Sequence, residues 1–229
     1  MKVFHLTENM RVKTTGSNEA EAYSKWLLDV GNGTCGEGEL TIPESMLTEE
    51  ESLESLTESV FPNLSQRYQD TAWMAERAIL APTNKEVDEV NNYIIEKIPG
   101  EQINFKSIDS TEDGNTEFTP EFLNTIEISG LPPHILKIKR GSMVILLRNM
   151  DAKNGHCNGI KYVVQNIQPH VLELRAINGT NIGSFLLLPR IISITKTASL
   201  PFTMRRKQFP LKLAFALSAN KVILFSHNI

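Results

Sequence analysis

Residues 122–164 read FLNTIEISGLPPHILKIKRGSMVILLRNMDAKNGHCNGIKYVV. Leu136, Ile138, Met143, Ile145 and Leu147 alternate with polar or outward-facing neighbours, the period-two pattern of half-buried strands. Gly141-Ser142 breaks that run into two strands. The turn-rich Asn154-Gly155-His156-Cys157-Asn158-Gly159 follows, and residues 160–167 read as a further strand. Short strands punctuated by tight turns make a small β-module, a common scaffold for holding nucleic acid.

Downstream the same grammar continues. Val171-Leu172-Glu173-Leu174 and residues 182–188 are strands flanking Asn178-Gly179, two residues that tolerate the positive φ of a hairpin turn. Pro189-Arg190 leads into Ile191-Ile192-Ser193-Ile194, and a basic cluster follows at Arg205-Arg206-Lys207. Upstream the period changes to that of helices. Ala20, Tyr23, Trp26, Leu27 and Val30 share one face of a helix over residues 18–30, with Asn18 as its cap and Gly31-Asn32-Gly33 as its stop. A strand is expected over residues 1–12. Residues 26–66 hold nine carboxylates and no Lys or Arg, which predicts a solvated acidic loop over 31–66 with a short helix near 48–61. Residues 77–82 read as a short buried strand. Thr83-Asn84 then starts a helix running to Ile98, with Val87, Val90, Ile94 and Ile98 inward and Pro99-Gly100 as its stop. Residues 101–119 are a polar connector with one strand at 103–108. Strand–helix alternation of this kind implies a parallel sheet covered by helices, an α/β fold.

The 229 residues suffice for one large domain or two small ones. No run of eighteen apolar residues is present, and the first residues lack the apolar core of a signal peptide, so an intracellular protein with no membrane partner is expected. Both cysteines, Cys35 and Cys157, are expected to be reduced. The net charge of −4 conceals a split: residues 1–133 carry 9 basic and 25 acidic side chains, residues 134–229 carry 14 basic and 2 acidic. The C-terminal excess is a phosphate-attracting surface unless the two halves neutralise each other within the protein.

Several chemistries are excluded by pattern. A phosphate-loop NTPase needs Gly-Lys-Ser/Thr after a glycine-rich turn, and Gly-Lys does not occur here. No HExxH, CxxC or GxSxG is present, and His5, His134, His156, His170 and His227 make no ligand spacing. Asp88-Glu89-Val90-Asn91 superficially suggests a magnesium motif but falls in mid-helix, so no metal site is expected.

Gly130-Leu131-Pro132-Pro133-His134, then Leu136, Gly141, Leu146-Leu147-Arg148-Asn149, Asp151 and Gly155 to Gly159 together resemble one family, the PIF-one-like DNA helicases, including the helicase part of Helitron transposon proteins. The match falls on their 2B insertion, a small Src-homology-type β-barrel. Ala78 to Asn84, Arg205 to Ala216 and Leu6-Thr7-Glu8-Asn9-Met10-Arg11 are similar to the family's second motor domain. The resemblance implies an incomplete RecA-like motor domain interrupted by that barrel. It places a partial motor domain at 1–120, the insertion at 121–200 and a return to the motor domain at 201–229. Leu217-Ser218-Ala219-Asn220-Lys221 begins the family's DNA-touching fifth motif. The sequence then departs from the pattern, and Gly159-Ile160-Lys161 stands where the family has Gly-Thr-Arg.

What the resemblance implies for function follows residue by residue. Arg11 would reach the γ-phosphate held by a first motor domain. Asn84, Arg148, Asn149, Asn158, Lys161, Arg205, Arg206, Ser218, Asn220 and Lys221 would touch single-stranded DNA. A complete relative moves 5′ to 3′ with ATP and magnesium in repair, telomere maintenance, replication or transposition, in the nucleus or mitochondrion. This chain by itself is expected to bind single-stranded DNA weakly, to use no cofactor and to hydrolyse no ATP. The alternatives are a non-enzymatic single-strand-binding module and an inactive remnant.

Overall fold

The computed structural model describes residues 10, 17–34, 40, 42–47, 52–112, 114, 117–198 and 200–218. The strand expected over 1–12, the tail beyond Ser218, and with them Arg11, Asn220 and Lys221 lie outside the described residues. The chain forms two compact units, Met1–Glu49 and Glu50–Ile229.

In the first unit, helix α1 (Asn18–Asn32) is capped by Ser17, one residue before the expected cap. Ser17 holds the extended backbone a cap needs, and its Oγ accepts the Ala20 N–H at 3.4 Å. Gly33 closes the helix with φ +69°. None of the residues of α1 is buried, including Tyr23, Trp26 and Leu27 of the shared face. A short 3-10 turn occupies Glu44–Met46.

The second unit runs α2 (Leu53–Val60), α3 (Leu64–Arg67), α4 (Thr71–Ala75), β1 (Ile79–Ala81), α5 (Asn84–Lys97), β2 (Ile103–Lys106), β3 (Ile108–Thr111), α6 (Pro120–Asn124), β4 (Ile135–Ile138) and β5 (Met143–Leu146). It continues through β6 (Lys161–Ile167), β7 (Val171–Ala176), β8 (Phe185–Pro189), β9 (Ile191–Thr195), β10 (Met204–Gln208), β11 (Leu211–Leu213) and β12 (Ala216–Ser218). Helix α5 matches its sequence signature. Thr83 and Glu86 form a reciprocal capping box, and Val87, Val90 and Ile94 are buried. Its far end is held by Lys139, whose Nζ donates to the Ile98 carbonyl at 2.7 Å and to that of Glu96 at 3.4 Å. A cation there meets the negative end of the helix dipole.

The fold is mixed α/β and mostly antiparallel. The main sheet has the order β11-β5-β6-β7-β8, all antiparallel. A second sheet is β3-β10-β9, and β2 pairs with β4. The expected parallel sheet is represented among the described residues by one pair, β1 with β12. The single strand expected at 103–108 is two. Ser107 separates β2 from β3, and the chain passes there from one sheet to another. The alternation expected across β5 is absent, because Met143, Val144, Ile145 and Leu146 are all buried. Strand pairing also crosses the segment boundaries expected at 120 and 200, since β2 pairs with β4 and β11 is an edge strand on β5. One core accordingly extends from Phe61 to Leu217, with a smaller cluster of Leu123, Leu131, Phe202 and Met204 beside it. The β4–β5 turn requires Gly141. Its φ is +87°, and a Cβ there would enter the Tyr68 ring.

Candidate nucleic-acid interface

A groove of about 400 Å³ runs between the first half of α5 and residues 127–137. Asn84, expected to touch DNA, lines it, and so does Leu147, the residue before Arg148. The Gly130-Leu131-Pro132-Pro133 motif forms part of its wall. Its cations are tethered: Lys212 Nζ sits 2.9 Å from Asp88, and Lys137 Nζ donates to Asn92 Oδ1 at 3.3 Å.

The loop from β5 to β6 gathers three more expected contacts, Arg148, Asn149 and Asn158. The loop is tied to itself. Asn149 Oδ1 accepts the Asn158 N–H at 2.8 Å, and Asp151 and His156 form an isolated antiparallel bridge. Asp151 also caps a 3-10 turn at Ala152–Asn154, and the Asn154 side chain holds its carboxyl below the usual carboxylate range. Under the loop, His156 Nδ1 lies 3.0 Å from the Tyr162 hydroxyl. Burial pushes the Tyr162 pKa up to about 12, so it stays a neutral partner. From the other side, Asn181 donates to the Asn154 carbonyl, and Asn178 Oδ1 accepts the Lys161 N–H at 2.7 Å. The asparagines that suggested a turn in the sequence are the loop's internal struts.

Ser218 ends β12 beside Ala81, the end of β1. It therefore shares with Asn84 the carboxyl end of the parallel pair, the customary place for ligands in such sheets.

Two expected contacts are corrected by burial. Lys161 is 6% exposed, and desolvation lowers its pKa. Arg206 is 1% exposed. Its guanidinium grips Asp109, with Nη2 to Oδ2 at 2.7 Å and Nε to Oδ1 at 3.0 Å. The remaining donors reach the carbonyls of Leu123, Ile126 and Pro132 at 3.0, 3.2 and 3.1 Å. Arg206 therefore fastens α6 and the Leu-Pro-Pro loop to β3, and none of its faces is left for phosphate. Arg205 is half-buried and Lys207 exposed on the opposite face of β10.

The same network contains residues the sequence reading missed. Ser107 Oγ lies 2.7 Å from Asp109 Oδ1 and 2.8 Å from His134 Nδ1. A carboxylate only accepts, so Ser107 donates to Asp109 and His134 donates from Nδ1 to Ser107. Burial lowers the His134 pKa against the opposing pull of Asp109, and the charges of Arg206 and Lys106 lower it further. Gln208 donates to the carbonyls of Phe105 at 2.7 Å and His134 at 3.2 Å. Asn91, 2% exposed, exchanges two hydrogen bonds with the backbone of Ala216, at 2.9 and 3.1 Å. A polar residue inside the apolar stripe of α5 was the available signal for Asn91.

Among the described residues no group of three His, Cys, Asp or Glu could hold a metal ion, and no helix is long and apolar enough to cross a membrane.

Residues 121–167 match the family DNA helicase Pif1, 2B domain. The ATP-dependent DNA helicase PIF1 of Danio rerio is 27% identical over 136 residues, covering 59% of this chain and 20% of that protein. Its counterpart in Xenopus laevis is 27% identical over 142 residues, again covering 59% and 20%. The Pif1 helicase structure from Candida albicans aligns with a TM-score of 0.49 at 20% identity, over 74% of this chain and 43% of that one. The chain is thus similar to helicases that act on DNA. Within that class the likeness is to PIF1, and residues 121–167 are the segment that resembles its 2B domain. It spans about a fifth of the length of the curated relatives it matches.

Proposed function

We propose that this chain supplies the strand-holding part of a PIF-one-like 5′-to-3′ DNA helicase: a RecA-like second motor domain with a Src-homology-type barrel inserted in it. The supporting observation is that the 2B match falls on the segment carrying the Arg148–Asn149–Asn158 loop, next to the groove lined by Asn84. Arg148 would meet a phosphate, and Asn149, with Oδ1 already engaged, would offer its amide NH₂ to a phosphate or base. Ser218, Asn220 and Lys221 would extend the track from the end of β12.

In this reading the chain does not supply the phosphate-loop half of a nucleotide site. The sequence has no Gly-Lys pair, and the described residues offer no carboxylate cluster for magnesium. ATP and magnesium would belong to a first motor domain, toward which Arg11 would point. Such a helicase would serve repair, recombination, telomere maintenance or Helitron transposition, in the nucleus or mitochondrion.

The test is binding of a fluorescent oligothymidylate to the chain at several salt concentrations, with ATP turnover measured alongside. Weak, salt-sensitive binding that falls on Arg148→Ala and Asn149→Ala, without turnover, is the expected result. Binding indifferent to salt and to both variants would overturn the reading.

A further inference from the structure

The sheet β3-β10-β9 turns one face to the core and the other to solvent. Asp109, Arg206 and Ser193 lie in register across it and point inward. The alternate positions point outward. Their register gives two rows, Ile108–Lys207–Ile192 and Ser110–Arg205–Ile194. Ile108, Ile192 and Ile194 are 65%, 49% and 47% exposed. Arg205 and Lys207 form no salt bridge with a carboxylate among the described residues, and Arg205 Nε has no hydrogen-bond partner among them. Glu112, beyond the end of β3, makes no ion pair with Arg205. The outer face is therefore two cations on the central strand, flanked by Ile192 and Ile194 on the β9 side and by Ile108 and Ser110 on the β3 side.

We propose that this face docks an acidic amphipathic helix of a partner protein, with carboxylates along its middle and apolar side chains on either side. The charge pattern selects this occupant. Arg205 and Lys207 are two residues apart on a strand, about 6.6 Å. Carboxylates four residues apart on a helix are about 6 Å apart along its axis, so an i, i+4 acidic pair meets both cations together. The isoleucines then cover the apolar flanks, where burial supplies affinity and the charges supply orientation. A second copy of this chain is disfavoured, because face-to-face contact would set these cations against their own kind. Single-stranded nucleic acid is disfavoured because the six outward positions include no aromatic ring for base stacking.

The proposal is independent of whether the groove binds DNA. It is tested on the whole chain with three fluorescent probes: a blocked helical peptide with glutamates four residues apart flanked by leucines, the same peptide with lysines for glutamates, and an oligothymidylate. The acidic peptide should bind and the lysine peptide should not. Arg205→Glu with Lys207→Glu, and separately Ile192→Ser with Ile194→Ser, should each weaken the acidic peptide about tenfold or more, and the isoleucine variant should leave the oligothymidylate unchanged. Unchanged thermal unfolding shows that these surface variants fold. Equal binding of both peptides, or peptide binding unmoved by the variants, overturns the proposal. Loss of oligothymidylate binding in the isoleucine variant also overturns it and makes the face a nucleic-acid contact.

Discussion

At Arg205-Arg206-Lys207 a run of three basic residues is divided by strand parity. Arg205 and Lys207 face outward, and Arg206 turns in to meet Asp109. Removing Arg206 leaves a carboxylate buried without its cation, a change worth about 3–5 kcal/mol. Arg206→Ala should lower stability by that order in urea unfolding, while the folded fraction keeps its affinity for single-stranded DNA. A DNA contact would give the reverse, normal stability with weakened binding. His134 adds a pH dependence. Its folded pKa lies below the ordinary value, so the unfolded chain takes up a proton first as pH falls. Stability from this group is complete above about pH 6.5, declines as pH drops below that value, and levels off once the folded form titrates too. His134→Gln should flatten this part of the stability–pH curve. An unchanged curve would remove His134 from the network.

Elements whose chemistry is local were the ones the sequence revealed. Helix α5 carries its own cap, stripe and stop, and β4, β6, β9 and the Gly155 turn carry their own period or turn residues. What escaped depends on partners distant in the chain. Strand β5 looked half-exposed because its neighbours β6 and β11, one of them more than sixty residues away, are invisible to a local pattern. The break at Ser107 exists because β2 and β3 answer to different sheets, and Asn91 looked like an ordinary interruption of an apolar stripe. Asn91 binds the edge of β12 as a neighbouring strand would, through both the N–H and the C=O of Ala216. Asn91→Leu keeps the volume and orphans both groups, at about 1–3 kcal/mol each. Hydrogen exchange at the Ala216 amide should accelerate together with that loss. Acceleration spread evenly over the molecule would mean that Asn91 does not specifically secure β12.

Across the whole chain, the sequence placed a large positive excess after residue 133, and the fold spends much of it internally. Arg206 pairs with Asp109, Lys212 with Asp88, Lys139 serves the end of α5, and Lys161 is buried. The candidate interface was legible as to its loop, because Arg148, Asn149 and Asn158 share one turn-rich motif. It was not legible as to its charge, because no linear pattern says which cations meet a carboxylate first. The consequence is measurable. If every excess cation met a phosphate, single-strand binding would fall with salt at about 0.7 log units per contact, summed over the full excess. With the internal pairs removed and the β10 cations on a separate face, the cations on the proposed track are Arg148 and Lys221, and the expected slope is about −1.4, equivalent to two phosphates. Arg148→Ala should reduce its magnitude by about 0.7, and Lys212→Ala should leave it unchanged because Asp88 already holds that charge. Titrations of oligothymidylate at stepped salt concentrations decide the matter. A slope several times steeper would mean that the internal pairs open for DNA, and a slope unaltered by Arg148→Ala would move the strand away from the β5–β6 loop.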